Sequence, residues 1–241
     1  MSRLVRRART PRLMRRMTAV FRDAWLIAGK DLRIEMRSRV GLNQIVPFAV
    51  TVLVLFAFAL DTDQEALRTY APGLFWVTVL LVSLLAIGRS FAVDLADGAA
   101  DRLLLSGIDP IAVFGGKAAA IAIQLVVLEV LLGAGVVLLF DVTVHRYGLL
   151  VCAGLAAAAG VATAGTLYGA LVAGLGVRET LLPVLLLPVV APVLIGATRA
   201  FQDAFGVAGA EGWAWLGLLA GFAAIYGVFG ALSYGALLEE A

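Results

Sequence analysis

The chain has only one cysteine, Cys152, and one histidine, His145, among its 241 residues. One cysteine forms no disulfide within the chain, and one cysteine with one histidine is too few for a closed metal site. The sequence also lacks a phosphate-binding loop, because Gly116-Lys117 has neither the upstream glycine nor the following serine or threonine of that motif. We therefore predict that the chain has no catalytic, cofactor-binding or metal site of its own.

Charge is also scarce. Asp, Glu, Lys and Arg make up 15% of the chain, whereas apolar residues make up 62% and the mean hydropathy is +0.98. An ordinary soluble domain is only about half apolar, even when glycine is counted. This composition excludes a soluble enzyme and a disordered chain, and it predicts an integral membrane protein.

The few charges are unevenly distributed along the chain. Residues 1–39 contain 12 Lys/Arg and three acids, whereas the remaining 202 residues contain 7 Lys/Arg and 14 acids. The net charge of +2 therefore combines a basic head of +9 with an acidic body of −7. Because cytoplasmic segments of membrane proteins are rich in Lys and Arg, we predict that the N-terminus lies inside the cell.

Six apolar runs are long enough to supply the about 20 residues that a helix needs to cross a bilayer. None of them alternates apolar with polar residues as the strands of a membrane barrel do, so we predict helices. We therefore predict an all-α membrane protein with a single six-span domain over 40–238 and a short tail at 239–241. The predicted spans are 40–60, 69–88, 118–140, 148–177, 180–198 and 212–238.

The orientation follows from the basic residues. Sixteen of the 19 Lys/Arg fall on the same side of the predicted membrane as the N-terminus. The loops on the other side contain only Arg68, Arg146 and Arg199. This bias predicts that both termini are cytoplasmic.

The first 17 residues are rich in arginine and poor in apolar residues, so we predict a disordered basic extension over 1–17. Such a segment fixes the topology and contacts anionic membrane lipid. Nucleic-acid binding is disfavoured, because neither a folded basic surface nor interleaved aromatic residues accompany the arginines.

Residues 18–39 predict an amphipathic helix that lies in the membrane interface before the first span. Five apolar residues recur at spacings of three and four, which places them on one helical stripe with basic residues opposite. The helix either only anchors the chain or acts as a lever that also touches a cytoplasmic partner. The stripe consists of Phe21, Trp25, Ala28, Leu32 and Met36.

The loop over residues 89–117 is the one sizeable inner loop between the predicted spans. Asp94, Asp97 and Asp101 are spaced by three and four, so they share one face of a helix. Three leucines at 103–105 follow them. The acids either form a solvated face or combine with the leucines into a docking surface for a basic partner.

Glu129 is the only charged residue inside the third predicted span, 118–140. A charge at the bilayer centre costs at least about 2.5–3.5 kcal/mol, so we expect a neutral side chain that faces protein or water. It either hydrogen-bonds a neighbouring helix, with Gln124 as a local companion, or serves a subunit contact or a proton-coupled site.

Small residues and prolines give predictions about helix packing. Gly165-x-x-x-Gly169 and Gly217-x-x-x-Gly221 have the spacing that lets two membrane helices approach closely. Prolines remove backbone donors and kink helices, so the fifth span is predicted to contain a bend that is either static or moving. Its prolines are Pro183, Pro188 and Pro192.

A series of short motifs runs through residues 71–117: Ala71-Pro72-Gly73, Trp76, Leu84-Leu85-Ala86, Arg89-Ser90-Phe91, Asp97-Gly98, Leu103-Leu104-Leu105 and Gly116-Lys117. Together with the length, the six-span layout and the Pro-rich fifth span, these motifs resemble haem exporter protein B, the CcmB family. The resemblance covers residues 20–238. One position departs from it, because family members often carry a glutamate just before the arginine, where this chain has Gly88.

The resemblance implies the membrane subunit of an ABC-type complex in cytochrome c maturation, with an ABC-2-like permease fold in the bacterial inner membrane. Such a subunit takes part in haem export or in ATP-driven release of a haem-loaded chaperone. It is not an enzyme, because ATP is bound and hydrolysed by a separate partner. The residues implied at the ATPase-coupling interface are Arg89, Asp94, Asp97, Gly98, Asp101 and Arg102.

The resemblance also implies that the complex handles haem. This chain has no C-x-x-C-H motif for covalent haem attachment. His145, in a predicted outer loop, is either solvated or a haem contact, since imidazole commonly ligates haem iron. The implied partners are an ABC ATPase subunit (CcmA-like), a Trp-rich haem-handling membrane subunit (CcmC-like), a small single-span subunit (CcmD-like), a haem chaperone (CcmE-like) and membrane lipid.

Other functions fit the same sequence. One is a scaffold subunit that assembles a membrane complex without transporting anything. Another is an ABC-2-type exporter of a different hydrophobic substrate. A self-contained proton-coupled carrier is a further alternative, although such a carrier usually has more than one ionisable group within the membrane.

Overall fold

The structure is a computed structural model, and it describes residues 12–38, 41–60, 64–96, 107–173, 175, 178–207, 209 and 211–240. Every regular element in these ranges is helical. The helices are α1 (Arg12–Ser38), α2 (Val46–Ala59), α3 (Gln64–Ala96), α4 (Pro110–Phe140), α5 (Tyr147–Ala173), α6 (Arg178–Ala204) and α7 (Gly212–Glu240), and a π-helical turn, Gly41–Ile45, precedes α2.

Five of these helices, α3 to α7, are long and apolar enough to cross a bilayer. They overlap the second to sixth predicted spans, which confirms the prediction of an all-α membrane protein. Helices α3 and α4 extend further than predicted, because α3 runs to Ala96 and α4 begins at Pro110, both inside the predicted 89–117 loop. The spanning stretches are Glu65–Leu95, Pro110–Phe140, Tyr147–Ala173, Thr180–Ala204 and Gly212–Leu237.

The first predicted span, 40–60, differs from the others. Its helix α2 has 14 residues, so it is only about 21 Å long, against a hydrocarbon thickness of about 30 Å. It qualifies as a span only together with α1, across a bend of 57° between Met17–Ser38 and Asn43–Ala59. The described residues therefore contain five candidate spans, or six if this bent pair counts as one.

Helix α1 begins at Arg12, six residues before the predicted start of the amphipathic helix at residue 18. Ile27, Ala28 and Asp31 form its buried face, which packs against α4. This approach requires glycine at position 116, because a Cβ there would lie 2.8 Å from the Cβ of Ile27.

The predicted apolar stripe of α1 does not form one buried face. Ala28 is buried, but Phe21, Trp25 and Met36 are 64–79% exposed. A period of 3.6 residues places these side chains beside the face that meets α4, so only the positions at the helix contact are covered. The exposed aromatic side chains therefore face outward from the bundle.

The two predicted glycine motifs have different surroundings. A Cβ at Gly165 or Gly169 of α5 would collide with Ile87 or Phe91 of α3, so this motif lies at a close helix contact, as predicted. At Gly217 and Gly221 of α7, an added Cβ would meet nothing within 4 Å among the described residues. Among the described residues, only the first motif therefore packs two helices together.

The prolines of the fifth predicted span lie inside α6. This helix is unbroken from Arg178 to Ala204, with Pro183, Pro188 and Pro192 in its interior. It packs against α3, α5 and α7, and neighbouring helices are what make proline tolerable in a membrane span.

Candidate functional site

The main charged site lies where the second half of α1, the end of α3 and the start of α4 meet. Its centre is the ammonium group of Lys117, which belongs to α4 and is only 3% exposed. Lys117 Nζ donates to Asp31 Oδ2 of α1 over 3.4 Å and to Ser90 Oγ of α3 over 3.2 Å. It also forms an ion pair with Asp94 of α3.

A second lysine completes this group, which we call the charge cluster and define as Lys30, Asp31, Asp94 and Lys117. Lys30 Nζ lies 3.0 Å from Asp31 Oδ1 and 3.5 Å from Asp94 Oδ1. Burial lowers the pKa of Lys30, but the carboxylates of Asp31 and Asp94 outweigh this effect and raise the pKa above its ordinary value. The cluster therefore holds two cations and two anions in balance.

The local sequence explains why Lys117 reaches this place. Asp109 caps α4 by accepting a hydrogen bond from the Ile111 N–H over 3.1 Å, and Pro110 occupies the first turn. The start of α4 is thereby fixed, and Lys117 follows two turns later beside Gly116, where α1 is closest. The Lys117 ammonium also lies 4.7 Å from the centre of the Phe91 ring, over its face.

A second ion pair joins the same two helices, α1 and α3. Arg89 Nε lies 3.1 Å from Glu35 Oε2, and both side chains are partly buried. Arg89 follows Gly88, the position at which the resemblance described above led us to expect a glutamate. In this structure the carboxylate that meets Arg89 comes from α1 instead.

The predicted coupling residues fall into two groups. Arg89 and Asp94 lie on the last turns of α3, and the structure brings both into contact with α1. Asp97, Gly98, Asp101 and Arg102 lie outside the described residues, in the segment 97–106 that directly follows α3. Their role at a coupling interface stays a prediction.

Sequence reasoning missed Lys117, Asp31 and Glu35 as members of this site. The available signal was a lysine seven residues after the Asp109-Pro110 helix start, at the edge of a long apolar run. A cation in such a place needs a carboxylate partner, because an unpaired buried charge is costly.

Glu129 is 8% exposed, as expected for an acid that faces protein. Its Oε1 atom has no hydrogen-bond partner among the described residues. The carboxyl group faces α5, where a Cβ added at Gly154 would lie 2.9 Å from Glu129 Oε2. Gln124 precedes Glu129 by five residues, about 140° around the helix, so the two side chains leave α4 in different directions.

His145 lies at the opposite end of the bundle from the charge cluster, in the connection between α4 and α5. Its backbone N–H donates to the Ala204 carbonyl oxygen over 2.8 Å, and its ring Nδ1 lies 3.1 Å from the Phe205 carbonyl oxygen. Because a carbonyl oxygen only accepts, Nδ1 is the donor in this hydrogen bond. The predicted haem contact of His145 stays a prediction.

The family comparison matches most of the chain. The model of the family described as "CcmB protein" matches residues 22–240, which confirms the resemblance found from the motifs. The chain is 32% identical to heme exporter protein B of Rhodobacter capsulatus over 183 residues, 76% of this chain and 84% of that protein. It is 33% identical to the protein of the same name in Paracoccus denitrificans over 185 residues, covering 76% and 83%. For the Haemophilus influenzae protein, the identity is 30% over 179 residues, covering 74% and 80%.

Proposed function

Because this chain belongs to the CcmB protein family, we propose that it is a membrane subunit of a haem exporter that acts in cytochrome c maturation. Relatives named heme exporter protein B match over at least 80% of their own length in the three comparisons above. The finer proposal is that the chain couples a separate ATPase to a haem-handling membrane partner. The charge cluster is the observation that carries this coupling role.

The cluster lies at the end of α3, the helix that leads directly into the segment on which an ATPase would dock. Residues 97–106 directly follow α3, whose last turns carry Arg89 and Asp94. Asp94 pairs with Lys117 of α4 and Lys30 of α1, while Arg89 pairs with Glu35 of α1. A push on the 97–106 segment is therefore transmitted to three helices together rather than to α3 alone.

The burial of Lys117 makes this connection stiff. Removing one partner of a buried ion pair costs about 3–5 kcal/mol, because the other charge is left uncompensated. A displacement of α3 that kept α1 and α4 in place would have to break such a pair. The three helices therefore move as one body, and α1 acts as the lever that its sequence suggested.

The division of labour follows from the missing nucleotide motif. The chain has no G-x-x-x-x-G-K-[ST] sequence, so we assign ATP hydrolysis to an ABC ATPase subunit. The haem-handling membrane subunit, the small single-span subunit and the haem chaperone complete the complex. The complex sits in the bacterial inner membrane, with both termini of this chain in the cytoplasm.

The docking role of the 97–106 segment has a direct test. The double variant Asp97→Ala/Arg102→Ala is expected to lower co-purification of the ATPase subunit about tenfold, since each charged contact at an interface contributes on the order of 1 kcal/mol or more. The measurement is the amount of ATPase retained on tagged complex in detergent. Arg199→Ala/Glu211→Ala, which changes the same two charge types on the opposite side of the bundle, is the matched control. ATPase retention equal to that of the unsubstituted complex would contradict the docking role.

A further inference from the structure

A cavity of about 550 Å³ lies between α4, α5 and α6, and neither the charge cluster nor the family comparison accounts for it. Its volume falls within the roughly 300–1,000 Å³ that is usual for small-molecule sites. The wall is apolar except for the tip of Tyr147 and the carboxyl group of Glu129. The cavity therefore combines the size of a ligand site with one deep polar group.

Glu129 is the group in this wall that lacks a partner. Its side chain is more than nine-tenths buried, and its Oε1 finds no hydrogen bond among the described residues. Leaving a buried polar group unsatisfied is costly, and more so in hydrocarbon, so a ligand that hydrogen-bonds the Glu129 carboxyl group would remove a standing penalty.

Two glycines keep the space in front of the carboxyl group open. A Cβ at Gly154 would lie 2.9 Å from Glu129 Oε2, so any other residue there would close the approach to the acid. At Gly133, which also lines the cavity, a Cβ would meet nothing within 4 Å. The part of the cavity beside Gly133 of α4 is therefore open space that no described side chain fills.

The far wall is a group of aromatic rings. The ring of Phe201 stacks on Phe75 with centroids 5.2 Å apart, and Trp76 meets Phe201 edge-on at 5.1 Å. Such a mutually packed wall is flat, apolar and held in place by its own contacts, which suits a hydrocarbon chain or ring.

The mouth of the cavity faces the region that lipid occupies in a spanning bundle. Val130, Leu138 and Val151 line it and are 56–83% exposed. Glu129 lies 11 residues before the end of α4 at Phe140, which is about 16 Å along the helix. A phosphate headgroup at that depth would be desolvated without a counter-charge, so the occupant has a small, uncharged or singly basic polar end.

We propose that this cavity binds a membrane-soluble small molecule that enters sideways from the bilayer and donates a hydrogen bond from a hydroxyl or amine to Glu129. The aromatic wall and the exposed aliphatic rim hold its hydrocarbon part. Binding at this site does not depend on ATPase coupling, because the cavity lies in the half of the bundle away from the charge cluster.

The test uses the full chain in lipid nanodiscs and a photoreactive long-chain alcohol that carries a diazirine on its alkyl part. Labelling is expected on peptides that contain residues 126–138 and 147–155. Dodecanol is expected to compete about tenfold better than dodecyl methyl ether, which has the same apolar bulk and no donor. In Glu129→Leu this difference should disappear, because the acceptor is gone.

A second variant fills the cavity without touching the acid. Gly133→Leu is expected to abolish the labelling, since its side chain enters open space and needs no rearrangement to fold. Gly217→Leu is the matched control, because that glycine is also helical with nothing within 4 Å, and its labelling should match the unsubstituted chain.

Dodecylamine distinguishes the two kinds of donor. Glu129→Gln keeps a hydrogen-bond acceptor but has no charge. In this variant dodecanol should still compete for labelling, whereas competition by dodecylamine should weaken about tenfold if the amine binds as an ion pair. Equal competition by the alcohol and its ether, or undiminished labelling in Gly133→Leu, would overturn the proposal. Loss of labelling whenever the partner subunits are co-expressed would also overturn it, and would assign the cavity to a partner helix.

Discussion

Lys117→Met is expected to destabilise the chain by about 3–5 kcal/mol, one of the two largest effects that the structure implies. The substitution keeps most of the side-chain volume and removes the ammonium group that is paired with Asp31 and Asp94. Two neighbouring carboxylates then face each other with only Lys30, which is half exposed, to compensate them. The measurement is the unfolding midpoint of the purified chain in mixed micelles of detergent and SDS.

Two further variants separate charge from packing at this position. Lys117→Arg keeps the charge, so it should retain more stability than Lys117→Met. Lys30→Met removes the partly exposed member of the same cluster, and exposed ion pairs contribute at most about 1 kcal/mol. If Lys117→Met and Lys30→Met had equally small effects, the cluster would not join the three helices as described.

The second large effect is expected at the other end of the bundle, at Asp203. This carboxylate is 8% exposed and accepts the Gly212 N–H over 3.0 Å and an Arg146 N–H over 2.9 Å. It therefore joins the end of α6 to the start of α7 and to the connection that precedes α5. Asp203→Ala leaves the buried Gly212 N–H without its acceptor, and the expected cost is about 2–4 kcal/mol of unfolding free energy.

Two milder variants are compared with Asp203→Ala in the same denaturation experiment. Arg146→Ala removes only the half-exposed cation and leaves the bond from Gly212 intact, so its cost should be clearly smaller than that of Asp203→Ala. Asp141→Asn breaks an exposed pair with Arg68 and should be similarly mild. A cost for Arg146→Ala as large as that for Asp203→Ala would show that the salt bridge, and not the helix-start contact, is what matters.

The membrane fold was predictable from the sequence because long apolar runs have few alternatives in a bilayer. Five of the predicted spans correspond to helices of spanning length. The first span was predicted less well. A run without charge over 40–60 does not reveal that a π-helical turn at Gly41–Ile45 and Pro47 shorten α2 to Val46–Ala59.

Contacts between distant residues were the part that sequence could not supply. Glycine spacing identified two close-packing motifs, but only Gly165 and Gly169 meet a neighbour in the part of the chain that the structure describes, because spacing defines a helix face and not what lies opposite it. The pairing of Lys117 with Asp31 joins residues 86 positions apart. Burial of Glu129 was predicted, whereas the cavity in front of it depends on the positions of α5 and α6.

The variant Asp94→Asn tests whether the charge cluster couples the 97–106 segment to the rest of the membrane subunit. This variant removes the carboxylate charge through which the end of α3 pairs with Lys117 and Lys30 but leaves Lys117 paired with Asp31. The measurement is ATP hydrolysis and release of the haem-loaded chaperone in the same purified complex, with Asp141→Asn as the matched control. We expect Asp94→Asn to preserve ATP hydrolysis and to lower chaperone release per ATP about tenfold or more, while Asp141→Asn changes neither. Unchanged release per ATP in Asp94→Asn would show that the charge cluster does not couple the segment to the membrane subunit.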